Sequence, residues 1–208
     1  MQQFLSRYGK YFVLAALIYM PVFGHLDTLP VRLYDEGRRA INAYEMLHNG
    51  NLIVPHVYGE PDMWGTKPPV LVWLQALHMK VIGVNELAVR LPVAIAAFLT
   101  LVLIMAFSVK YLKSFWYGFI AVVVLITSQG YIGYHAARTG DYDALLAFFT
   151  TLGALMFFTF CETRKYKYLY LFFIATTLAV LTKGVAGLFF PAGHCPLQPV
   201  CKTVGPTP

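Results

Sequence analysis

The sequence is poor in charge. Asp, Glu, Lys and Arg make up 12% of its 208 residues, about half the share of an ordinary soluble domain. Acid is scarcest, with ten carboxylates against sixteen Lys and Arg. Hydrophobic residues reach 58%, and mean hydropathy is +0.60. This balance excludes a soluble globule and predicts an integral membrane protein with about six or seven spans and one long loop. The net charge of +6 then sets topology, or meets anionic lipid, and no nucleic-acid partner is expected. Cysteine is also scarce. Cys161 reads as an ordinary small membrane residue. Cys195 and Cys201, beside His194, form no CxxC pair, which argues against zinc. A disulfide between them requires a tail outside the cytoplasm. No small-x-small cleavage site follows the first apolar run, Tyr11–Leu26, so it reads as an uncleaved span with its N-terminus inside.

Six of the ten acids fall close together: Asp27, Asp35, Glu36, Glu45, Glu60 and Asp62. All but Asp27, which lies just before it, belong to a polar island, Tyr34–Lys67, in an otherwise apolar chain. Ala40, Ile41, Tyr44 and Leu47 share one helical stripe there. Asp35 is placed to cap that helix, and Asn49-Gly50 to close it. A short helix lying in the membrane interface is predicted, followed by a loop at Gly59, Pro61 and Gly65.

Pro68–Gly83 is 16 residues long, too short for a comfortable span. Later apolar runs cover Leu87–Val109, Phe115–Tyr131, Ala144–Cys161 and Tyr168–Leu181. If Pro68–Gly83 does not cross, Arg7, Lys10, Lys110, Lys113, Arg164, Lys165 and Lys167 share one side of the membrane. The polar island and Gly133–Asp143 then share the other. If it crosses, Asp35 and Asp143 are separated by roughly 30 Å of hydrocarbon. The positive-inside rule favours the first arrangement, with Pro68–Gly83 as a second interfacial or re-entrant helix.

Arg138, Asp141 and Asp143 sit between two apolar runs. Asp143 opens a helix, as a cap or as a functional acid at the positive end of the helix dipole. Lys183, in Leu181-Thr182-Lys183-Gly184, is either a snorkelling anchor or a phosphate ligand. From Ala192 four prolines and no acid replace the apolar pattern. The chain thus divides into a membrane region, 1–191, with its first loop at 27–86, and an irregular tail, 192–208, that reads as truncated or foreign.

The pieces Asp35-Glu36, Glu45-Met46-Leu47, Ile53-Val54-Pro55-His56, Lys67-Pro68, Asp143 before an apolar helix and Leu181-Thr182-Lys183-Gly184 with Pro191 resemble one family in order and spacing. That family is the C-type membrane glycosyltransferases, the dolichyl-phosphate-mannose-protein mannosyltransferases and lipid A aminoarabinose transferases. The resemblance implies an all-α polytopic bundle in the inner (plasma) membrane, with interfacial helices in a long first extracytoplasmic loop. It implies transfer of a sugar from a polyprenyl-phosphate donor to a lipid, glycan or protein acceptor. Asp35 then matches the essential first-loop aspartate, with Glu36 beside it, and Asp143 matches the second-site aspartate. Lys67 matches the donor-phosphate lysine. Arg138 and Lys183 are further phosphate candidates, and Tyr34 is a candidate sugar contact. The triplet Asp141-Tyr142-Asp143 adds another reading, in which Asp141 and Asp143 hold a divalent cation. Family enzymes are longer, so the chain is expected to be an N-terminal portion, active or inactive by itself. A proton- or ion-coupled transporter and a non-catalytic membrane scaffold are the competing readings.

Overall fold

The computed structural model describes residues 2–65, 67–133 and 135–189. The expected tail, with His194, Cys195 and Cys201, lies outside the described residues. Among the described residues, eight α-helices follow in order. They are α1 (Gln2–Phe23), α2 (Asp35–Asn49), α3 (Val70–Ile82), α4 (Glu86–Tyr111), α5 (Phe115–Thr127), α6 (Gln129–Ile132), α7 (Asp143–Thr163) and α8 (Tyr166–Lys183). A 3-10 turn, Gly184–Leu188, extends α8. Among the described residues, three helical stretches are long and apolar enough to cross a membrane: Glu86–Tyr111, Asp143–Thr163 and Tyr166–Leu188. Gly9–Phe23, Val70–Ile82 and Phe115–Thr127 are apolar but shorter. The protein is a helical integral membrane protein, as its composition requires.

Helix ends largely follow local chemistry. Asn85 caps α4, its side chain accepting from Ala88 N at 2.8 Å. Gly50 closes α2 in the left-handed conformation, φ 69°, as Asn49-Gly50 predicts. Asp35 differs from expectation. It is the first helical residue, and Tyr34 occupies the cap position without a side-chain hydrogen bond. The entry is closed by backbone instead, with Gly37 N donating to Arg32 O and Arg38 N to Tyr34 O. The loop after α2 also holds a two-stranded antiparallel hairpin, His56–Val57 with Glu60–Pro61, where no strand is expected.

Two apolar clusters position the site. The larger joins Leu14, Ile18 and Val22 of α1 to Val93, Ala97 and Leu101 of α4, Val122 of α5, Leu145 of α7 and Ala179 of α8. Small residues permit the approach. A Cβ on Gly118 would stand 2.7 Å from Met105 Sδ, so α5 seats on α4 at that point because it has none. The smaller cluster packs Ala43 and Met46 of α2 on Val72, Ala76 and Met79 of α3 and on Ala88 and Val89 of α4.

Polar links show which ends meet. Arg138 donates to the carbonyls of Pro21 (3.0 Å) and Gly24 (2.6 Å), where α1 ends. Arg90, in the second turn of α4, bonds Glu36 of α2. Lys183 at the end of α8 pairs with Asp143 at the start of α7. At the opposite end, Lys10 lies 4.6 Å from the Phe115 ring centre, and Tyr111 donates to Thr159 Oγ1 at 3.0 Å. α3 therefore begins and ends at the same end of the bundle, and its 13 residues do not reach the other. The non-crossing reading of Pro68–Gly83 holds in the fold.

Candidate functional site

The site is built where the first loop meets the segment 133–142. Glu36 makes the junction. It is 3% exposed, and its carboxylate accepts from Arg32 N (2.8 Å), Gly140 N (2.9 Å) and Arg90 Nε (2.8 Å) and Nη2 (3.1 Å). Burial pushes its pKa up, but the Arg90 hydrogen bond and the Arg32 and Gly140 amides outweigh that and hold it below the usual range. Arg90 also donates to the carbonyls of Leu26, Leu29 and Pro30. Gly140 reaches Glu36 because it has no side chain: a Cβ there would meet Val89 Cγ1 at 2.5 Å and Gln75 Nε2 at 2.9 Å. Glu36 is thus committed to joining α2, α4 and the 133–142 segment.

Asp35, one residue away, faces a cavity of about 330 Å³ lined by Tyr34, Asp35, Glu36, His135, Thr139 and Asp141, among others. Its side chain is 53% exposed, and Arg39 Nη2 lies 3.8 Å from its Oδ1. Across the cavity, His135 Nδ1 lies 2.5 Å from Asp141 Oδ2, and Asp141 Oδ1 accepts from Tyr142 N at 2.7 Å. Ligand-capable atoms of Asp35, His135 and Asp141 lie within 4.8 Å of one another. Two residues on this cavity, Tyr34 (φ 71°) and His135 (φ 61°), hold positive φ without being glycine. Such backbone costs of order 1–3 kcal/mol per residue and clusters where a structure is constrained for function.

Tyr142, 2% exposed, is linked to Asp35 through Arg39. Arg39 Cζ lies 5.1 Å and Lys67 Nζ 4.7 Å from its ring centre. Burial pushes the Tyr142 hydroxyl up to about 12, against the pull of the Arg39 charge. The hairpin loop is anchored by Asp62. Arg38 Nε donates to its Oδ2 at 2.8 Å and Asn42 Nδ2 at 3.1 Å, and the Arg38 bond leads in lowering its pKa to about 2.

The structure therefore sorts the candidates. Asp35, Tyr34 and Asp141 share one cavity, and Lys67 is linked to Asp35 through Tyr142 and Arg39. Asp143 faces Lys183 rather than Asp141, and the two form an ion pair. Arg138 spends its donors on α1 carbonyls. His135, Arg39, Tyr142 and Arg90 were not singled out by sequence. A faint signal existed for Arg90, a lone charge early in an apolar run, which needs a partner.

Residues 66–195 match the sequence profile described as Dolichyl-phosphate-mannose-protein mannosyltransferase. An uncharacterised protein of Aquifex aeolicus is 32% identical over 85% of this chain and 36% of its own length. An undecaprenyl phosphate-alpha-4-amino-4-deoxy-L-arabinose arabinosyl transferase of Aeromonas salmonicida is 29% identical over 80% of this chain and 30% of its own. The crystal structure of ArnT from Cupriavidus metallidurans bound to undecaprenyl phosphate superposes with a TM-score of 0.71 at 21% identity, over 89% of this chain and 34% of that one. Its apo state gives 0.74. The chain spans about a third of the length of these relatives.

Proposed function

The chain belongs to the dolichyl-phosphate-mannose-protein mannosyltransferase family, and from that premise we propose that it carries the donor side of a glycosyl-transfer site. The reaction moves a sugar from a polyprenyl-phosphate donor to an acceptor on the extracytoplasmic face of the inner membrane. A lipid acceptor agrees with the arabinosyl transferases among the relatives. Protein and glycan acceptors are the other members of the class.

The observation that carries this reading is the arrangement around Asp35: a half-exposed carboxylate on a cavity, linked through Arg39 to a buried tyrosine ring that Lys67 also approaches. Glycosyl transfer needs those opposite functions together. As the bond from the sugar to phosphate breaks, negative charge grows on the leaving phosphate, and a lysine placed there neutralises it. The acceptor hydroxyl needs its proton removed or its oxygen oriented, which a carboxylate provides. We assign Asp35 to the acceptor and Lys67 to the phosphate. Asp141, held by His135, supports Asp35 across the cavity. Asp143 and Lys183 neutralise each other beside that group. If the reaction uses a divalent cation, Asp35, His135 and Asp141 are the set that suits it.

The test uses membranes containing the protein and undecaprenyl phosphate-linked 4-amino-4-deoxy-L-arabinose as the first donor. Asp35→Asn is expected to abolish sugar release from the donor while the protein inserts normally. Unchanged release would remove Asp35 from the chemistry.

A further inference from the structure

We propose that Arg39 is a second ligand for the donor phosphate, acting with Lys67 across the ring of Tyr142. The inference rests on the glycosyl-transfer reading and extends it to a residue outside the family-matched Asp and Lys positions.

Four arginines at this end of the bundle divide into two groups. Arg38, Arg90 and Arg138 direct their guanidinium donors to acceptors of the protein itself: the Asp62 carboxylate, Glu36 with three carbonyls, and the end of α1. Arg39 does not. It is 5% exposed, yet its Nε is buried without a hydrogen-bond partner. Asp35, the carboxylate it pairs with, stands 3.8 Å away, beyond hydrogen-bond length. A buried guanidinium with an unmet donor is costly unless something else accepts from it.

The neighbouring charge narrows what that acceptor is. Lys67 approaches the same buried ring that Arg39 approaches, so two cations share one low-dielectric surface. The ring's quadrupole attracts each of them but does not cancel their mutual repulsion. An anion with several acceptor oxygens does both, answering the lysine's point charge and the arginine's planar donors. Phosphate is such an anion. The Asp35–Arg39 pair then has a use. Phosphate drawing on Arg39 loosens its hold on Asp35 and frees that carboxylate for the acceptor. Arg39 also lies one turn from Asp35 on α2, so one rigid element fixes the distance between the phosphate and the acceptor base.

Two sources could supply the phosphate: the polyprenyl donor or an ordinary anionic phospholipid. The experiment places the full 208-residue chain in phosphatidylcholine nanodiscs and titrates three probes. These are undecaprenyl phosphate, undecaprenol and phosphatidylglycerol, each read as a binding curve. The wild type is expected to prefer undecaprenyl phosphate to undecaprenol and to phosphatidylglycerol. Arg39→Met should weaken undecaprenyl phosphate binding about tenfold or more, as Lys67→Met does, without changing undecaprenol binding. Arg39→Lys should recover part of the loss, which shows that the fold survives at this position. The double variant Asp35→Asn, Arg39→Met should stay weak. Recovery of binding in that double variant would overturn the proposal, because it would make Arg39 a mere counter-ion of Asp35. So would wild-type binding by Arg39→Met alongside a weak Lys67→Met, although the donor reading would then stand. Equal wild-type binding of the phosphate and the alcohol would remove the donor reading, and the Arg39 role with it. Equal binding of phosphatidylglycerol would overturn the donor assignment in favour of an anionic-lipid site.

Discussion

Adjacent acids, Asp35 and Glu36, have opposite duties, and their surroundings explain why. Glu36 accepts four hydrogen bonds in a buried setting, whereas the Asp35 side chain is half in water. Glu36→Gln should therefore cost about 3 kcal/mol, because it leaves Arg90 as a buried, uncompensated charge. Asp35→Asn should stay within about 0.5 kcal/mol of the wild type. Thermal unfolding in detergent compares the two directly, and equal losses would refute the division of roles. Asp62 gives the residue-scale pH response. Its pKa falls from an unfolded 3.8 to about 2. The folded state thus holds its proton less tightly, and the stabilisation is complete above the unfolded value. It is lost as pH falls from about 4 to about 2. An Asp62→Asn variant should show a shallower loss of stability over that window in the same unfolding measurement.

At the scale of elements, the sequence was legible where one chain segment decides its own fate. The apolar runs became α4, α5, α7 and α8, and Gly50 stopped α2, because hydrophobic length and a left-handed glycine act locally. The site was legible in part. Asp35 and Asp141 share a cavity while Asp143 meets Lys183, a division that spacing along the chain does not announce. Asp141 and Asp143 are two residues apart across a helix start, and there the direction of a side chain is set by what it meets: His135 for one, Lys183 for the other. Such long-range pairing leaves no period in a sequence. The same holds for Gly140, which looks like any loop glycine until Val89 and Gln75 close over it. Gly140→Ala should separate the 133–142 segment from Glu36. The expected result is lower thermal stability together with faster amide exchange in residues 135–142. Unchanged exchange would show that Val89 and Gln75 make room.

For the whole molecule, the distribution of charge and the arrangement of helix ends agree. The starts of α1 and α5 and the ends of α4 and α7 gather at the end opposite Asp35, and there the basic connectors 110–114 and 162–167 lie. The carboxylates of the site gather at the other end. The positive-inside rule predicts an orientation with the basic end in the cytoplasm and the site outside. This orientation is testable with single cysteines in a background lacking Cys161, Cys195 and Cys201. Met63 of the first loop is 86% exposed and serves as one position, with Asp143 and Lys165 as the others. A membrane-impermeant thiol reagent should label 63 and 143 in intact cells, and 165 only after permeabilisation. If 63 and 143 report opposite faces, α3 crosses the membrane. The Glu36–Gly140 junction could not then form, because its two halves would lie on opposite faces of a hydrocarbon layer roughly 30 Å thick. Asp35 and Asp141 would be parted by the same distance, and no shared cavity could exist. The placement of α3, a helix too short to span, therefore decides whether the chain has a site at all.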